Sequence, residues 1–176
     1  MTTGNAGQTL LALDAGVRET GWAVFGPPMV QAVQADPASG VIKAPSPRKS
    51  DVQTRVAHLI DCLDRLVDEW TPHAVAHSRP SGIHWPVPAL ELLEEALAGW
   101  CRCHSLPLHA YTAQEVRSAI AGQPNASQDQ LAFAVMERLG LIGLSKTSHE
   151  WEALAVGVYH LGRAVLTPAP TPLDLP

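Results

Sequence analysis

Basic residues are scarce in this sequence. Only 12 of its 176 residues are Lys or Arg, against 17 Asp or Glu, and the net charge is −5 with neutral histidines. This balance excludes a protein that coats nucleic acid through bulk positive charge, and it leaves room only for a local basic patch. No apolar run reaches the ~20 residues that cross a bilayer, so we expect no membrane partner.

Cysteine is also scarce. The chain has three cysteines, an odd number, and two of them, Cys101 and Cys103, lie two positions apart. This pattern argues against a disulfide framework and predicts a reducing, cytoplasmic compartment. The first eight residues lack the basic start and the long apolar stretch of a secretory signal.

A phosphate-binding glycine loop of the Walker or dinucleotide type is missing too. ATPase and dehydrogenase functions therefore lose support, and we expect no small-molecule cofactor. Charged residues make up 16% of the chain, whereas apolar residues make up 46%, which is enough for a sizeable core. We predict one domain over residues 9–166, an N-terminal tail at 1–8 and a Pro-rich C-terminal tail at 167–176.

The first part of the chain predicts an antiparallel meander. Short apolar runs, separated by turns that contain Gly or Pro, predict strands at Leu10–Asp14, Gly21–Phe25 and Met29–Val33. Residues 37–50 are rich in Pro, Ser and basic side chains. They predict a loop around a short extended piece at Gly40–Ile42.

The remainder of the chain predicts an alternation of helices and strands. Apolar residues recur at intervals of three and four, the period of a helix face. Ser127 with Gln130 and Thr147 with Glu150 form capping-box patterns at two helix starts. Strands that are separated by helices can join a mixed sheet in parallel. The predicted helices are Asp51–Trp70, Ala89–His104, Ala113–Ala121, Ser127–Gly140 and Thr147–Leu166, and the predicted strands are Ala74–His77 and Leu106–Tyr111.

Four residues at the ends of these predicted strands and helices are candidates for catalysis or metal binding. Asp14 ends an apolar strand at the sheet edge where ligands bind in open α/β folds, although Asp also commonly starts a turn. His149 and Glu152, three apart on one helix face, can reach the same metal ion, although the helix dipole alone also favours acids there. His77 ends the fourth predicted strand, where a lone His is more often simply hydrogen-bonded.

Several segments resemble RuvC-type Holliday junction resolvases. Residues 11–24 (LALDAGVRETGWAV) are similar to the family's opening, an apolar strand that ends in Asp and is followed by Thr-Gly before the second strand. Residues 149–156 (HEWEALAV) are similar to its Asp/His-x-x-Asp-Ala-Leu-Ala helix. With weaker matches at 74–77, 106–122 and 126–139, the resemblance covers roughly residues 9–164.

The resemblance implies an α/β, ribonuclease H-like fold with a metal site. The expected sheet is mixed and five-stranded, in the order 3-2-1-4-5, with strands 1–3 antiparallel. The family's acids hold two divalent ions for hydrolysis. Asp14, His149 and Glu152 match three of the family's site residues, and His77 stands where the family has Glu. Imidazole is a poor Mg²⁺ ligand, so the expected cofactor is Mn²⁺ or Mg²⁺, with Mn²⁺ favoured.

The implied function is a divergent, metal-dependent, structure-selective endonuclease that cuts Holliday or other branched DNA in recombination and repair. The resemblance also implies a homodimer, which matches the two-fold symmetry of a junction. The alternative is a non-catalytic member that binds nucleic acid or serves as a scaffold with a degenerate metal site. Four leucines fit either the core or a dimer face; they are Leu59, Leu63, Leu93 and Leu97.

A nucleic-acid surface is predicted from scattered residues. Gln128 stands where the family has a DNA-contacting Lys, which weakens this prediction. Trp85 can stack on unpaired bases, as an aromatic side chain after the fourth strand does in the family, or it can be a hydrophobic plug. The basic residues can equally be ordinary surface charge. The candidates are Arg48, Lys49, Arg79, Trp85, Arg117 and Lys146.

Overall fold

The computed structural model describes residues 8–26, 36–80 and 87–166. Within them, no helix is both long and apolar enough to cross a membrane. The strands are β1 (Leu10–Asp14), β2 (Glu19–Phe25), β3 (Ala38–Lys43), β4 (Ala74–Arg79) and β5 (Leu108–Thr112), and the helices are α1 (Val52–Trp70), α2 (Pro88–Cys103), α3 (Ala113–Ala121), α4 (Gln128–Leu139) and α5 (Ser148–Leu166).

The five strands form one mixed sheet in the order β3-β2-β1-β4-β5. β1 pairs antiparallel with β2, and β2 pairs antiparallel with β3. β4 pairs in parallel with β1 and with β5. The fold class, the strand order and the antiparallel start predicted from the sequence are therefore confirmed.

Helices cover both faces of the sheet. α1 and α2 pack on one face, where they bury Leu11, Leu13 and Val75 of the sheet. α3, α4 and α5 pack on the other face, over Leu10 and Ala12. The four leucines left open between core and dimer face all belong to the core, and each is at most 4% exposed; they are Leu59, Leu63, Leu93 and Leu97.

The third strand of the sheet is longer than the sequence predicted for this stretch. The strand that pairs with β2 is β3, at Ala38–Lys43, which contains the short extended piece predicted at Gly40–Ile42 within a loop. Gly40 allows this pairing, because a Cβ at that position would lie 2.8 Å from the indole ring of Trp22. The predicted strand at Met29–Val33 lies outside the described residues, as does the predicted C-terminal tail.

The helix starts follow their capping signals. Ser127 and Gln130 form the predicted capping box at α4. At α5, the amide and the hydroxyl of Thr147 both donate to Glu150 Oε2, at 2.9 Å each. These bonds satisfy amides that a helix start would otherwise leave unpaired. They fix the first turn of α5, which carries two of the candidate site residues.

Candidate functional site

The centre of the candidate site is a contact between Asp14 and His149. Side chains alternate along β1, so Asp14 lies on the same face as Leu10 and Ala12, which is the face that α5 covers. His149, in the first turn of α5, lies with Nδ1 2.7 Å from Asp14 Oδ2. A carboxylate only accepts hydrogen bonds, so Nδ1 carries the hydrogen.

A glycine brings α5 this close to the sheet. Gly21 of β2 is paired with Asp14, and a Cβ on it would overlap the carbonyl oxygen of His149. One position earlier, Thr20 closes the turn between β1 and β2, because its hydroxyl donates to the Gly16 carbonyl at 3.0 Å. The Thr-Gly pair that carried part of the resemblance is therefore a structural requirement of the site.

Glu152 lies one helical turn after His149 and is paired with an arginine. The Arg117 guanidinium donates to Glu152 Oε1 and to the Ala126 carbonyl. The two charged side chains are only 19% and 14% exposed. Burial raises the pKa of Glu152 against the opposing effect of Arg117, and the Asp14 carboxylate raises it further. Asp14, His149 and Glu152 thus form one electrostatic cluster.

Two members of the cluster were not predicted from the sequence. Ser78 of β4 is paired with Asp14, and its hydroxyl donates to Asp14 Oδ1 at 3.3 Å. Glu19 Oε2 lies 3.3 Å from His149 Nε2. Glu19 lies two residues before Gly21 and hence on the same face of β2. The strand alternation is a signal that finds it once the pairing with β1 is known.

The structure does not bring His77 to this cluster, so the expected convergence of four residues is wrong at that position. His77 is paired with Leu13 rather than with Asp14, and it lies on the α1–α2 face of the sheet. Its Nδ1 lies 3.6 Å from Oε1 of Glu94, a residue of α2. β4 also continues to Arg79, so His77 does not end the strand.

The six candidates for a nucleic-acid surface have different surroundings. Arg48, Lys49 and Arg79 are exposed. Arg117 is bound to Glu152, and Lys146 Nζ lies 3.1 Å from Asp36 Oδ2 and 2.9 Å from Ser39 Oγ. Trp85 lies outside the described residues. Two of the five described cations are thus already paired within the protein.

A cleft opens beside the cluster. Its volume is about 620 Å³, and the turn between β1 and β2, the end of β3 and the ring of His149 line it. Arg18 and Lys43 contribute positive charge to its walls, and Glu19 contributes negative charge. Neither cation was predicted from the sequence, because the antiparallel pairing of β2 and β3 brings them to the same cleft as His149.

The contacts of this cluster differ from those that a metal centre needs. Both Asp14 oxygens accept hydrogen bonds, from Ser78 and His149, and Glu152 is held by Arg117. Ser78, the β4 residue beside Asp14, is not a carboxylate. Among residues 8–26, 36–80 and 87–166, no three His, Cys, Asp or Glu side chains are grouped to hold a metal ion. As arranged here, the residues do not fit a two-ion centre, which needs several free oxygen ligands.

Known proteins are similar to this chain in sequence. Residues 10–160 match the profile of the family "Crossover junction endodeoxyribonuclease RuvC". The protein of that name from Burkholderia pseudomallei (strain 668) is 31% identical over 153 residues, or 86% of this chain and 82% of the relative. The one from Corynebacterium efficiens is 30% identical over 133 residues, which is 72% of this chain but only 57% of the relative's length.

A solved structure agrees with the sequence matches. The structure titled "T. thermophilus RuvC in complex with Holliday junction substrate" superposes with a TM-score of 0.74 at 22% identity. The superposition covers 90% of this chain and 96% of the other. At this identity the likeness supports the fold, while the profile match over residues 10–160 decides the family. This chain belongs to the RuvC family of crossover junction endodeoxyribonucleases.

Proposed function

We propose that this protein is a structure-selective endonuclease that hydrolyses a phosphodiester bond in Holliday or other branched DNA. The observation that carries the proposal is the contact between Asp14 and His149, with Glu152 one turn further on, at the end of β1 in a RuvC fold. Membership of the family supports the reaction class. The Thermus thermophilus structure with a Holliday junction supports the substrate class.

In this proposal the chain's own residues prepare the site for a phosphate group. Ser78 and His149 orient the Asp14 carboxylate from two sides, at 3.3 and 2.7 Å. His149 is the residue that would exchange a proton during the reaction, which is the commonest role of a catalytic imidazole. The cleft beside it would hold the DNA strand, with Arg18 and Lys43 near the phosphates and the exposed Arg48 and Lys49 further along.

The divalent ion and the assembly are parts of the proposal. We expect Mn²⁺ to support activity better than Mg²⁺. The reason is the imidazole of His149, because a ring nitrogen is a poor Mg²⁺ ligand and His77 lies on the other face of the sheet. The homodimer and the cytoplasmic compartment stay predictions. The homodimer is expected from the symmetry of a four-way junction, which two copies of one chain match.

A second function is favoured by a specific observation. Ser78 stands beside Asp14 where a further acid would be needed, and Arg117 occupies Glu152. Both features suit a RuvC-fold protein that binds branched DNA without cutting it. The two functions share the substrate and differ in the hydrolysis step, so one set of measurements separates them.

The test compares cleavage and binding of a four-way junction by the wild type and Asp14→Asn. Cleavage is measured in Mg²⁺ and in Mn²⁺, with a linear duplex of the same sequence as the substrate control. We expect the wild type to cut the junction, and Asp14→Asn to lose activity by orders of magnitude while it still binds. Asp61→Asn, an exposed change on α1, is the matched control and should keep wild-type activity.

Two results would overturn the proposal. Undiminished cleavage by Asp14→Asn would remove this cluster from the reaction. Tight binding of the junction by the wild type, with no cleavage in either ion, would establish the non-catalytic function instead.

A further inference from the structure

We propose that Arg117 is a built-in cation that competes with a divalent ion for Glu152 and weakens metal binding at this site. This inference rests on the proposed function, because it concerns the same cluster. It accounts for the disagreement between a family whose expected site holds divalent ions and an arrangement here that does not fit them.

The position of Arg117 carries the argument. Its guanidinium contacts Oε1 of Glu152, and Glu152 is close enough to Asp14 and His149 for both to influence its charge. A positive charge against a carboxylate provides the interaction that a metal ion would provide. Since the pair is mostly buried, water screens it little.

The second contact of Arg117 fixes the guanidinium in this position. Its Nη1 donates to the Ala126 carbonyl, in the connection between α3 and α4. Both terminal nitrogens of the guanidinium are therefore hydrogen-bonded, which fixes its plane. Arginine keeps its charge at every accessible pH. The opposing charge is therefore always present, and only moving or replacing this side chain removes it.

Electrostatics predicts the size of the effect. Even with the screening of bulk water, repulsion between a divalent ion and a guanidinium charge roughly 5 Å apart corresponds to roughly tenfold in the dissociation constant, and burial increases it. Removal of the charge should therefore tighten Mn²⁺ binding by at least about tenfold.

The experiment measures Mn²⁺ binding without any DNA, from the electron paramagnetic resonance signal of free Mn²⁺ and from thermal unfolding with and without the ion. We expect weak binding by the wild type and at least about tenfold tighter binding by Arg117→Gln. Arg117→Lys, which keeps the charge, should stay close to the wild type. Arg138→Gln is the matched control, since Arg138 also donates to backbone carbonyls, those of Ala119 and Ile120, at 2.9 and 3.0 Å.

A double variant locates the ion. Arg117→Gln combined with Glu152→Gln should lose the gain, because Glu152 would be the ligand set free. If the double variant binds Mn²⁺ as tightly as Arg117→Gln, or if Arg117→Gln binds no better than the wild type, the proposal is overturned. Tight binding by the wild type that Asp14→Asn abolishes would overturn it as well, without any Arg117 variant.

These results are distinguishable from those of the cleavage test. A wild type that does not cut, together with tighter Mn²⁺ binding by Arg117→Gln, would support the role of Arg117 and overturn the nuclease. A wild type that cuts the junction and binds Mn²⁺ tightly at Asp14 would support the nuclease and overturn the role of Arg117.

Discussion

At the scale of single residues, His77 is a histidine buried without a hydrogen bond. It is fully buried, and neither ring nitrogen has a hydrogen-bond partner among the described residues. Burial, and to a smaller extent the positive charge of Arg79, together lower the pKa of His77 to about 4. The imidazole is therefore neutral in the folded protein at neutral pH. His77 acts on stability rather than on the chemistry at Asp14.

The buried imidazole predicts sensitivity to acid. In the unfolded chain a histidine has a pKa of about 6.5, so between pH 6.5 and about 4 the unfolded state binds a proton that the folded state does not. The free energy of unfolding must fall as the pH falls through this window, by roughly 3 kcal/mol in total. Above pH 6.5 His77 is neutral in both states and adds no pH dependence.

Urea unfolding at several pH values between 7 and 4 measures this contribution. His77→Leu replaces the ring with an apolar side chain of similar size, and it should lose less stability than the wild type on acidification. His58→Gln, at a half-exposed position on α1, should leave the wild-type pH dependence unchanged. Parallel curves for His77→Leu and the wild type would contradict the assignment.

At the scale of elements, a shift of one residue separates the candidate residues that the structure brings together from the one that it does not. Asp14 was a candidate because an apolar strand ends there, and His149 and Glu152 were candidates because their spacing puts both on one helix face and because they match the family's helix. His77 failed because neighbouring residues on a strand point to opposite faces, so the residue beside Asp14 is Ser78. The family resemblance predicts that β4 lies beside β1, but the sequence carries no signal for the register between these two strands.

β3 shows a second limit of local patterns. Its sequence, ASGVIK, contains Ser and Gly, which are typical of loops, and only Gly40–Ile42 within it was predicted to be extended. What makes it a strand is its pairing with β2, where the absence of a side chain at Gly40 leaves room for Trp22. Such a long-range requirement cannot be predicted from composition. The helices, which depend on local periodicity and caps, were largely predictable.

The close packing of α5 against Gly21 of β2 gives a prediction at the scale of elements. Gly21→Ala would place a methyl group against the backbone carbonyl of His149, and a backbone atom in the first turn of a helix moves only with the helix. We expect a loss of about 1–3 kcal/mol in the free energy of unfolding, because overpacked positions cost about that much. Junction cleavage should fall with it, since His149 is displaced from Asp14.

Gly26→Ala is the matched control for this change. Gly26 follows the same strand, and a Cβ there would meet none of the described residues within 4 Å. Its stability should stay within about 0.5 kcal/mol of the wild type in urea unfolding. Equal stability of the two variants would show that α5 does not press on β2 at Gly21.

At the scale of the whole molecule, the charge balance would decide how strongly the proposed DNA substrate is bound. The net charge is −5, and two of the expected phosphate-binding cations, Arg117 and Lys146, are bound to acids inside the protein. Binding to DNA through phosphates gains affinity from each free cation at the interface, and it weakens with salt in proportion to their number. Branched DNA should therefore be bound with a shallow salt dependence.

Gln128 is the position where this balance can be changed by one residue. It is exposed at the start of α4, and it lines a cavity of about 350 Å³ together with Lys146 and Ser148, next to His149. Gln128→Lys should add one phosphate contact. The affinity for a four-way junction should then rise at low salt, and the slope of log K against log salt should steepen by about 0.9.

The matched control is Ala57→Lys, which adds the same charge at an exposed position on α1, on the opposite side of the sheet. It should leave the slope unchanged. Fluorescence anisotropy of a labelled junction over a salt series measures both slopes. Equal steepening by both variants would mean that only net charge matters and that DNA does not bind beside α4 and α5.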